Sequence, residues 1–510
     1  MKKLVSLLFH RVVLVAFFLL IQVAVLVVML LRFNNYFLPF YGVCVAISLF
    51  AVFWIVGRQS DPAYKIAWII PILVFPIFGG LFYLLFGGNR LSSRTRRKME
   101  GTDRKMEEVL RPDYKADELS SLGEDAVHQA RYLEHIAHCP VYGNTETEYY
   151  PLGELCFTRM VEELKRAERY IFVEYFIIEE GKMWDTILDI LKDKAQEGVD
   201  VRVMYDDIGS MFTLPRDYAR ELEARTGIKC CVFNPFVPIL SLRLNNRDHR
   251  KIMVIDGKVA FTGGINLADE YINEKVKYGH WKDSAIQVRG EAAWSMTVMF
   301  LTLWDYVREK ATEDYDAFRP PELPEIQAPG FVQPYTDKPL DCEAVGQAVY
   351  LNLINKARRY VYITTPYLIV DDSTNTALCI AAKSGVDVRI MTPHIPDKRV
   401  VFELTRSHYQ PLLEAGVKIY EYTPGFVHAK NFAVDDKYGT VGSINLDYRS
   451  LFLHFENGVW LCNDPSIRDI RADFLSTLEQ CQSVTLAQCR ALPWWRKAVR
   501  AVLRVFAPLM

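Results

Sequence analysis

Asn246 to Asn266, NRDHRKIMVIDGKVAFTGGIN, recurs in weakened outline near the C-terminus as Val427 to Asn445, VHAKNFAVDDKYGTVGSIN. Each copy has a His, a Lys two residues on, an Asp, and a Gly-Gly or Gly-Ser pair followed by Asn. The first copy contributes His249, Lys251, Asp256, Gly263, Gly264 and Asn266. The second contributes His428, Lys430, Asp435, Gly442, Ser443 and Asn445. HRKIMVI has strand composition, and residues two apart on a strand face the same side, so each His and its Lys present an imidazole and an ammonium to one pocket. Asp256-Gly257 is a hairpin-turn pair, which makes Asp256, and Asp435 in its turn, supports of the turn rather than substrate contacts.

The repeat extends beyond these cassettes. KRAERYIFVEYFII (Lys165 to Ile178) and GVDVRVMYDD (Gly198 to Asp207) are matched by NKARRYVYITTPYLI (Asn355 to Ile369) and GVDVRIMTPH (Gly385 to His394), at an offset of about 180 to 190 residues. Strands alternating with helices of this length predict α/β layers. The pattern divides the chain into a membrane region (1–90), a connector (91–150), a first domain (151–314), a Pro-rich linker (315–340), a second domain (341–489) and a basic amphipathic tail (490–510). Duplicated domains meeting at a pseudo-twofold would bring the two cassettes face to face, one site built from two halves.

The N-terminal region is apolar with basic flanks. Val12 to Leu31 and Phe37 to Val56 each have the length that a helix needs to cross a bilayer. A third run, Ile66 to Phe86, holds Pro71, Pro76, Gly79 and Gly80 and reads as a kinked span, with a re-entrant segment as the alternative. The cluster Arg90, Arg94, Arg96, Arg97 and Lys98 after it, and ten cysteines lacking metal or disulfide spacing, place the soluble part on the cytoplasmic side. A net charge of -2 gives no global basic field for nucleic acid. In the tail, PWWRKAVRAVLRVFAPLM (Pro493 to Met510), the stripe of Val499, Val502, Leu503 and Phe506 either lies in an anionic membrane interface or packs on the domain.

Two His, two Lys and two Asn make a pocket of fixed cationic and amide donors, with no carboxylate cluster or Cys set to hold a metal. Such donors suit a phosphoryl group, and Asn266 and Asn445 join the lysines as expected phosphate ligands. One imidazole attacks phosphorus while the other serves as general acid and then base, a metal-free phosphodiester transfer in two half reactions. A nucleophilic imidazole needs an acceptor on its other nitrogen. Asp283, in HWKDSAIQV, and Glu456, in LHFENGVW, are the expected His-orienting carboxylates, Asp283 for His249 and Glu456 for His428. His280, His394, His408 and His454 lack this context and read as structural or surface residues, although His454 and Arg449 are near enough to Glu456 to line the pocket.

At these residues the chain resembles the phospholipase D superfamily, whose signature is HxKxxxxD followed by GGxN or GSxN, present twice. It is most similar to the bacterial cardiolipin synthases, through IPILVFPIFGGLFYLLFG (Ile70 to Gly87), NRDHRKIMVIDG, FVHAKNFAVDD and SINLDYRSLFLHFE. The resemblance implies duplicated phospholipase D-like α-β-α sandwich domains related by a pseudo-twofold, preceded by transmembrane helices in a bacterial cell membrane. It implies that a phosphatidyl group passes between two phosphatidylglycerol molecules to give cardiolipin and glycerol, with anionic phospholipids as partners and no cofactor. It carries a catalytic role to His249, Lys251, Asp256, His428, Lys430 and Asp435, with His249 as nucleophile and His428 as general acid/base, although the residues themselves leave that symmetry unbroken. Other phosphatidyltransferases, a hydrolase of the superfamily and a silent membrane scaffold are the alternatives.

Overall fold

The computed structural model describes residues 37–509 except 59–61, 77–78, 81–82, 84–92, 111–118, 237–245, 309–311, 313 and 340–342, together with 23, 24, 27 and 28. It divides into two units, one of residues 1–90, 235–245 and 509 and one of the remaining chain. In the first unit, helix α1 (Phe37–Val56) coincides with the second expected span and is long and apolar enough to cross a membrane. The first expected span, Val12 to Leu31, lies almost wholly outside the described residues. In the third run the structure has a shorter helix, α2 (Pro62–Val74), of 13 residues. Residues 76, 79, 80 and 83 of the run are also helical, and 77–78, 81–82 and 84–86 lie outside the described residues. The Ser48 hydroxyl donates to the Pro76 carbonyl at 2.8 Å, and a Cβ on Gly80 would fall 2.6 Å from that hydroxyl oxygen, so a glycine is needed where the two segments touch.

The second unit contains the duplicated part. Its first half has strands β1 (Thr145–Tyr150), β2 (Tyr170–Tyr175), β3 (Asp200–Asp206), β4 (Lys229–Phe233), β5 (Lys251–Ile255), β6 (Val259–Gly263), β7 (His280–Lys282) and β8 (Ala285–Gly290). Helix α3 (Ala293–Arg308) follows. The second half has β9 (Phe331–Asp337), β10 (Tyr360–Thr364), β11 (Asp387–Pro393), β12 (Lys418–Tyr422), β13 (Gly425–Val427), β14 (Asn431–Val434), β15 (Tyr438–Gly442), β16 (Glu456–Cys462) and β17 (Cys481–Val484), with helices α4 (Arg399–Ser407) and α5 (Trp494–Phe506).

The first sheet runs β1-β8-β6-β5-β2-β3-β4 and the second, read from its other edge, β9-β16-β15-β14-β10-β11-β12-β17. The orders correspond strand for strand, with β17 added. In both, the strand after the GVDVR turn pairs parallel with the central strand, and the cassette strand pairs antiparallel with it. The mixed α/β class and the duplication therefore stand. Two stretches outside the expected domains join the sheets. The connector supplies β1, and the Pro-rich linker supplies β9, whose Pro334 is accommodated because β9 is an edge strand.

Alternation sorts the side chains. Ile171, Val173 and Tyr175 of β2, with Met253 and Ile255 of β5, meet Met160, Leu164, Trp184 and Ile187 of the helices 153–165 and 182–196. Phe172, Ile252 and Val254 point the other way, into a core formed by α3 and the second half, where Phe300 stacks on Phe172 at 4.6 Å. Each fully buried Phe or Leu contributes about 2 kcal/mol. This shared core fixes the halves against each other. Across the seam β7 pairs parallel with β13, and Asp248 bridges to Phe455.

Candidate active site

Both histidines sit at the seam, His428 directly after β13 and His249 directly after the Asp248 bridge. The His249 N–H donates to the Phe455 carbonyl at 2.9 Å, and the His428 N–H donates to the Lys282 carbonyl at 2.7 Å. Phe455 and Lys282 immediately precede Glu456 and Asp283, so each histidine is laced by its backbone to the segment that bears the opposite half's carboxylate. The side chains follow. His249 Nδ1 is 3.0 Å from Glu456 Oε2, and His428 Nδ1 is 2.7 Å from Asp283 Oδ2. The expected carboxylates are the right ones with exchanged partners: Asp283 holds His428 and Glu456 holds His249. The cause is the pseudo-twofold, which sets each cassette against the strand start of the other half. A carboxylate only accepts, so each Nδ1 carries the proton and each Nε2 keeps its lone pair.

Lys251 and Lys430 are buried beside these rings, and each Nζ donates to the carbonyl of its own motif histidine. Burial is the main cause that lowers the ammonium of Lys251 to about 8 and that of Lys430 to about 7. Burial, then the charge of Lys430, pushes His428 down to about 4. Burial, then Lys251 and Lys430, holds His249 well below its ordinary value. Burial alone would raise Asp283, but the charges of His428 and Lys430 outweigh it and keep its carboxyl below the usual range. Both imidazoles are neutral at pH 7 in a pocket of positive potential. An entering phosphodiester anion supplies the missing negative charge and favours a proton on one of them.

Asp256 and Asp435 stand at the far ends of the cassette strands. Asp256 is in the left-handed region at φ 54 and accepts the N–H groups of Glu168, Arg169 and Tyr170 at 2.8 to 2.9 Å. Asp435 does the same for Arg358, Arg359 and Tyr360. Seven extended residues separate each from its histidine, roughly 23 Å. These contacts are the supporting role read from the turn. Asn266 accepts from the Ile177 N–H at 3.1 Å and donates to the Tyr271 hydroxyl at 2.7 Å; Asn445 donates to the Ser450 hydroxyl at 3.0 Å. Each amide braces the short helix five residues downstream with one of its two N–H groups.

The Gly-Gly and Gly-Ser pairs differ for a reason. A Cβ on Gly264 would lie 2.1 Å from Asp283 Oδ1 and 2.9 Å from the His428 carbonyl. In the second half Ser443 occupies the matching place, and its hydroxyl donates to Glu456 Oε2, the oxygen that holds His249. The two carboxylates are therefore seated differently around near-identical histidines.

The neighbours of the rings also differ. His428 sits among Tyr271, Trp281 and Phe426, at 5.5 to 5.9 Å. His249 faces Phe176 at 5.0 Å and His454 at 5.5 Å. His454 stands where the first half has Trp281, two residues before the carboxylate. That spacing places it on the same strand face as Glu456 and is the signal by which sequence could have promoted it. Beneath the first cassette, Arg250 Nε lies 2.6 Å from Glu174 and 3.5 Å from Asp248, and Arg247 lies 3.4 Å from Asp206. These buried charges in RDHRK fix the entry to β5 and were not singled out from sequence. Ligand atoms of His249, His454 and Glu456 fall within 4.8 Å of one another. Glu456 already serves His249 and Ser443, and two buried ammoniums bear on the same spot, so the cluster's charge favours an anion over a cation.

Residues 160–294 and 350–478 match the family described as cardiolipin synthase, PLD-like domain, and residues 46–88 match the phospholipase D-nuclease N-terminal family. The chain belongs to the cardiolipin synthase family. It is 36% identical over 476 residues to a Geobacillus cardiolipin synthase, covering 92% of this chain and 94% of that protein. It is 34% identical over 456 residues to the cardiolipin synthase of Halalkalibacterium halodurans, covering 89% and 90%. An uncharacterized protein of Streptococcus mutans is 46% identical over 468 residues, covering 90% and 99%. Among solved structures, the phosphatidylserine synthase of Haemophilus influenzae shares the fold, with a TM-score of 0.57 at 16% identity over 75% of this chain and 98% of that one. The chain carries His, Lys and Asp in both cassettes and a carboxylate against each histidine.

Proposed function

We propose that the protein is a cardiolipin synthase that transfers a phosphatidyl group from one phosphatidylglycerol to the glycerol hydroxyl of another, releasing glycerol. The observation that carries this reading is the exchanged pairing, two neutral imidazoles each held through Nδ1 by the other half's carboxylate beside two buried ammoniums.

His249 Nε2 attacks phosphorus and the P–O bond to the departing glycerol breaks, leaving a phosphatidyl-histidine. His428, protonated in the presence of the anionic substrate, gives its Nε2 proton to the glycerol oxygen. The neutral His428 then takes the proton of the incoming hydroxyl, whose oxygen attacks phosphorus as the P–N bond breaks. Lys251 and Lys430 offset the charge spread over the phosphoryl oxygens. Assignment of His249 as nucleophile follows the superfamily analogy. The substrates sit in a membrane that the chain crosses more than once, with the catalytic unit on the cytoplasmic side; the apolar α1, the basic cluster after the third apolar run and nine free cysteines among the described residues support that placement.

Purified protein in detergent with phosphatidylglycerol tests the reading. Cardiolipin and glycerol are the expected products; phosphatidic acid without cardiolipin would make the protein a hydrolase.

A further inference from the structure

Helix α5 (Trp494–Phe506) turns its charges the wrong way round for a surface helix. Arg496 donates to Glu403 Oε1 and Arg500 donates to Glu403 Oε2, both at 2.8 Å, and Arg500 is buried. Glu403 belongs to α4, so the two arginines clamp α5 onto that helix by its basic side. The apolar stripe is left outside. Trp494 is 81% exposed, Trp495 55%, Val499 49% and Val502 58%. Trp495, Val499 and Val502 follow the i, i+4, i+7 spacing of one helix face. Leu503 and Phe506 are half-buried, so only this inner edge of the stripe is turned towards the protein. Of the two readings that the sequence left open, packing of the stripe on the domain is not what Val499 and Val502 do.

An exposed apolar face of this kind needs an occupant, and the surrounding groups name its chemistry. Lys497 and Arg504 are exposed at the flanks of the stripe, and indole rings beside ammonium and guanidinium groups are the composition of helices lying in the head-group layer of anionic bilayers. Helix α4 adds exposed Val400 and is preceded by exposed Lys398. Asp397, beside Lys398, accepts the Tyr367 hydroxyl at 2.5 Å, and the Tyr367 ring lies 6.5 Å from that of Phe426, itself 5.9 Å from that of His428; Glu403 is six residues along from Asp397, about 9 Å at the rise of a helix. We propose that α5 is a second membrane attachment, an in-plane helix whose Trp494, Trp495, Val499 and Val502 enter the head-group layer of an anionic bilayer and, through the Glu403 clamp on α4, hold the catalytic entrance against the lipid surface. It goes beyond the transfer reaction, since it holds whichever phospholipid the pocket accepts.

The test uses the full chain in membranes and reads contact rather than turnover. A benzophenone amino acid is placed singly at Trp495 and at Val502, and, as control, at exposed Glu197, which precedes β3 at the sheet edge opposite the histidines. Irradiation in vesicles of phosphatidylcholine with phosphatidic acid, which offers no head-group alcohol to displace, is followed by mass spectrometry of the labelled peptides. Phospholipid adducts at 495 and 502, at least ~10-fold above those at 197, are expected, and the double variant Arg496→Gln/Arg500→Gln lowers them by releasing the helix from Glu403. Adducts at 495 and 502 no more frequent than at 197, or adducts only to protein, would overturn the proposal.

Discussion

Replacing Asp283 by Asn disables His428 and leaves His249 in order, although Asp283 is in the half that carries His249. Asp283 Oδ1 accepts the N–H of Ser284 at 2.8 Å, and Oδ2 faces His428 Nδ1 at 2.7 Å. In Asp283→Asn the carboxamide oxygen stays on the Ser284 N–H, so the new NH2 group takes the Oδ2 place and offers a donor to Nδ1. His428 then moves its proton to Nε2 and cannot act as a base. A wrong tautomer of this kind costs roughly 10⁴-fold in turnover, about 5 kcal/mol. The same logic makes Glu456→Gln a defect of His249. The assay is a phosphatidyl ester of p-nitrophenol, whose good leaving group needs no proton. Denaturing mass spectrometry then shows whether a phosphatidyl-histidine accumulates in each variant. If His249 is the nucleophile, His428→Ala and Asp283→Asn both trap the adduct at His249, because neither can activate the incoming hydroxyl. His249→Ala and Glu456→Gln both fail to form it. Reversal of the nucleophile exchanges the two phenotypes but keeps the pairs. Asp283→Asn behaving as His249→Ala, with Glu456→Gln behaving as His428→Ala, would refute the cross-half arrangement.

Three further outcomes follow from the same contacts. Asp256→Asn, tolerated in the left-handed region but unable to accept three N–H groups, destabilises the fold by about 2 kcal/mol in denaturant titrations while turnover per folded molecule stays within ~3-fold; a catalytic collapse without loss of stability contradicts the architectural role. Gly264→Ala pushes a methyl against Asp283 Oδ1 and the His428 carbonyl, lowers turnover per folded molecule roughly 10²-fold by misplacing the orienting carboxylate and costs about 1–3 kcal/mol of stability; full activity would show that Asp283 has slack. The ammonium of Lys430 is lost as pH rises through about 7 and that of Lys251 through about 8, so affinity for a phosphonate analogue falls on the alkaline side across that window. Lys430→Met removes the lower step, and an unchanged pH profile in that variant would contradict the assignment.

The internal repeat, the strand character of the cassettes and the turn role of the two aspartates were legible because they rest on periodicity and short spacing. Strand β1, TETEYY, escaped because its charged outward residues mask a half-buried edge, and β9 because proline content outweighed a pattern that an edge strand tolerates. The carboxylate partners were misassigned for a deeper reason. Asp283 and Glu456 each follow a cassette of their own half at comparable distance, and nothing local distinguishes a carboxylate that folds back from one that crosses a pseudo-twofold. The crossing contacts span 207 and 145 residues, a separation at which pairing is set by the shared core around α3. Asn266 and Asn445 escaped for a local reason: Tyr271 and Ser450 are only five residues on, but it takes the short helices Asp269–Ile272 and Tyr448–Phe452 to turn their hydroxyls back onto the amides.

The central claim is one composite site. Its most direct test is the turnover of phosphatidylglycerol by the purified protein and by His249→Ala and His428→Ala, with cardiolipin and glycerol counted together. One glycerol per cardiolipin, and a loss of at least ~10³-fold in each single variant, is the predicted result. About half of the wild-type rate surviving in either variant would mean two independent sites and would contradict it.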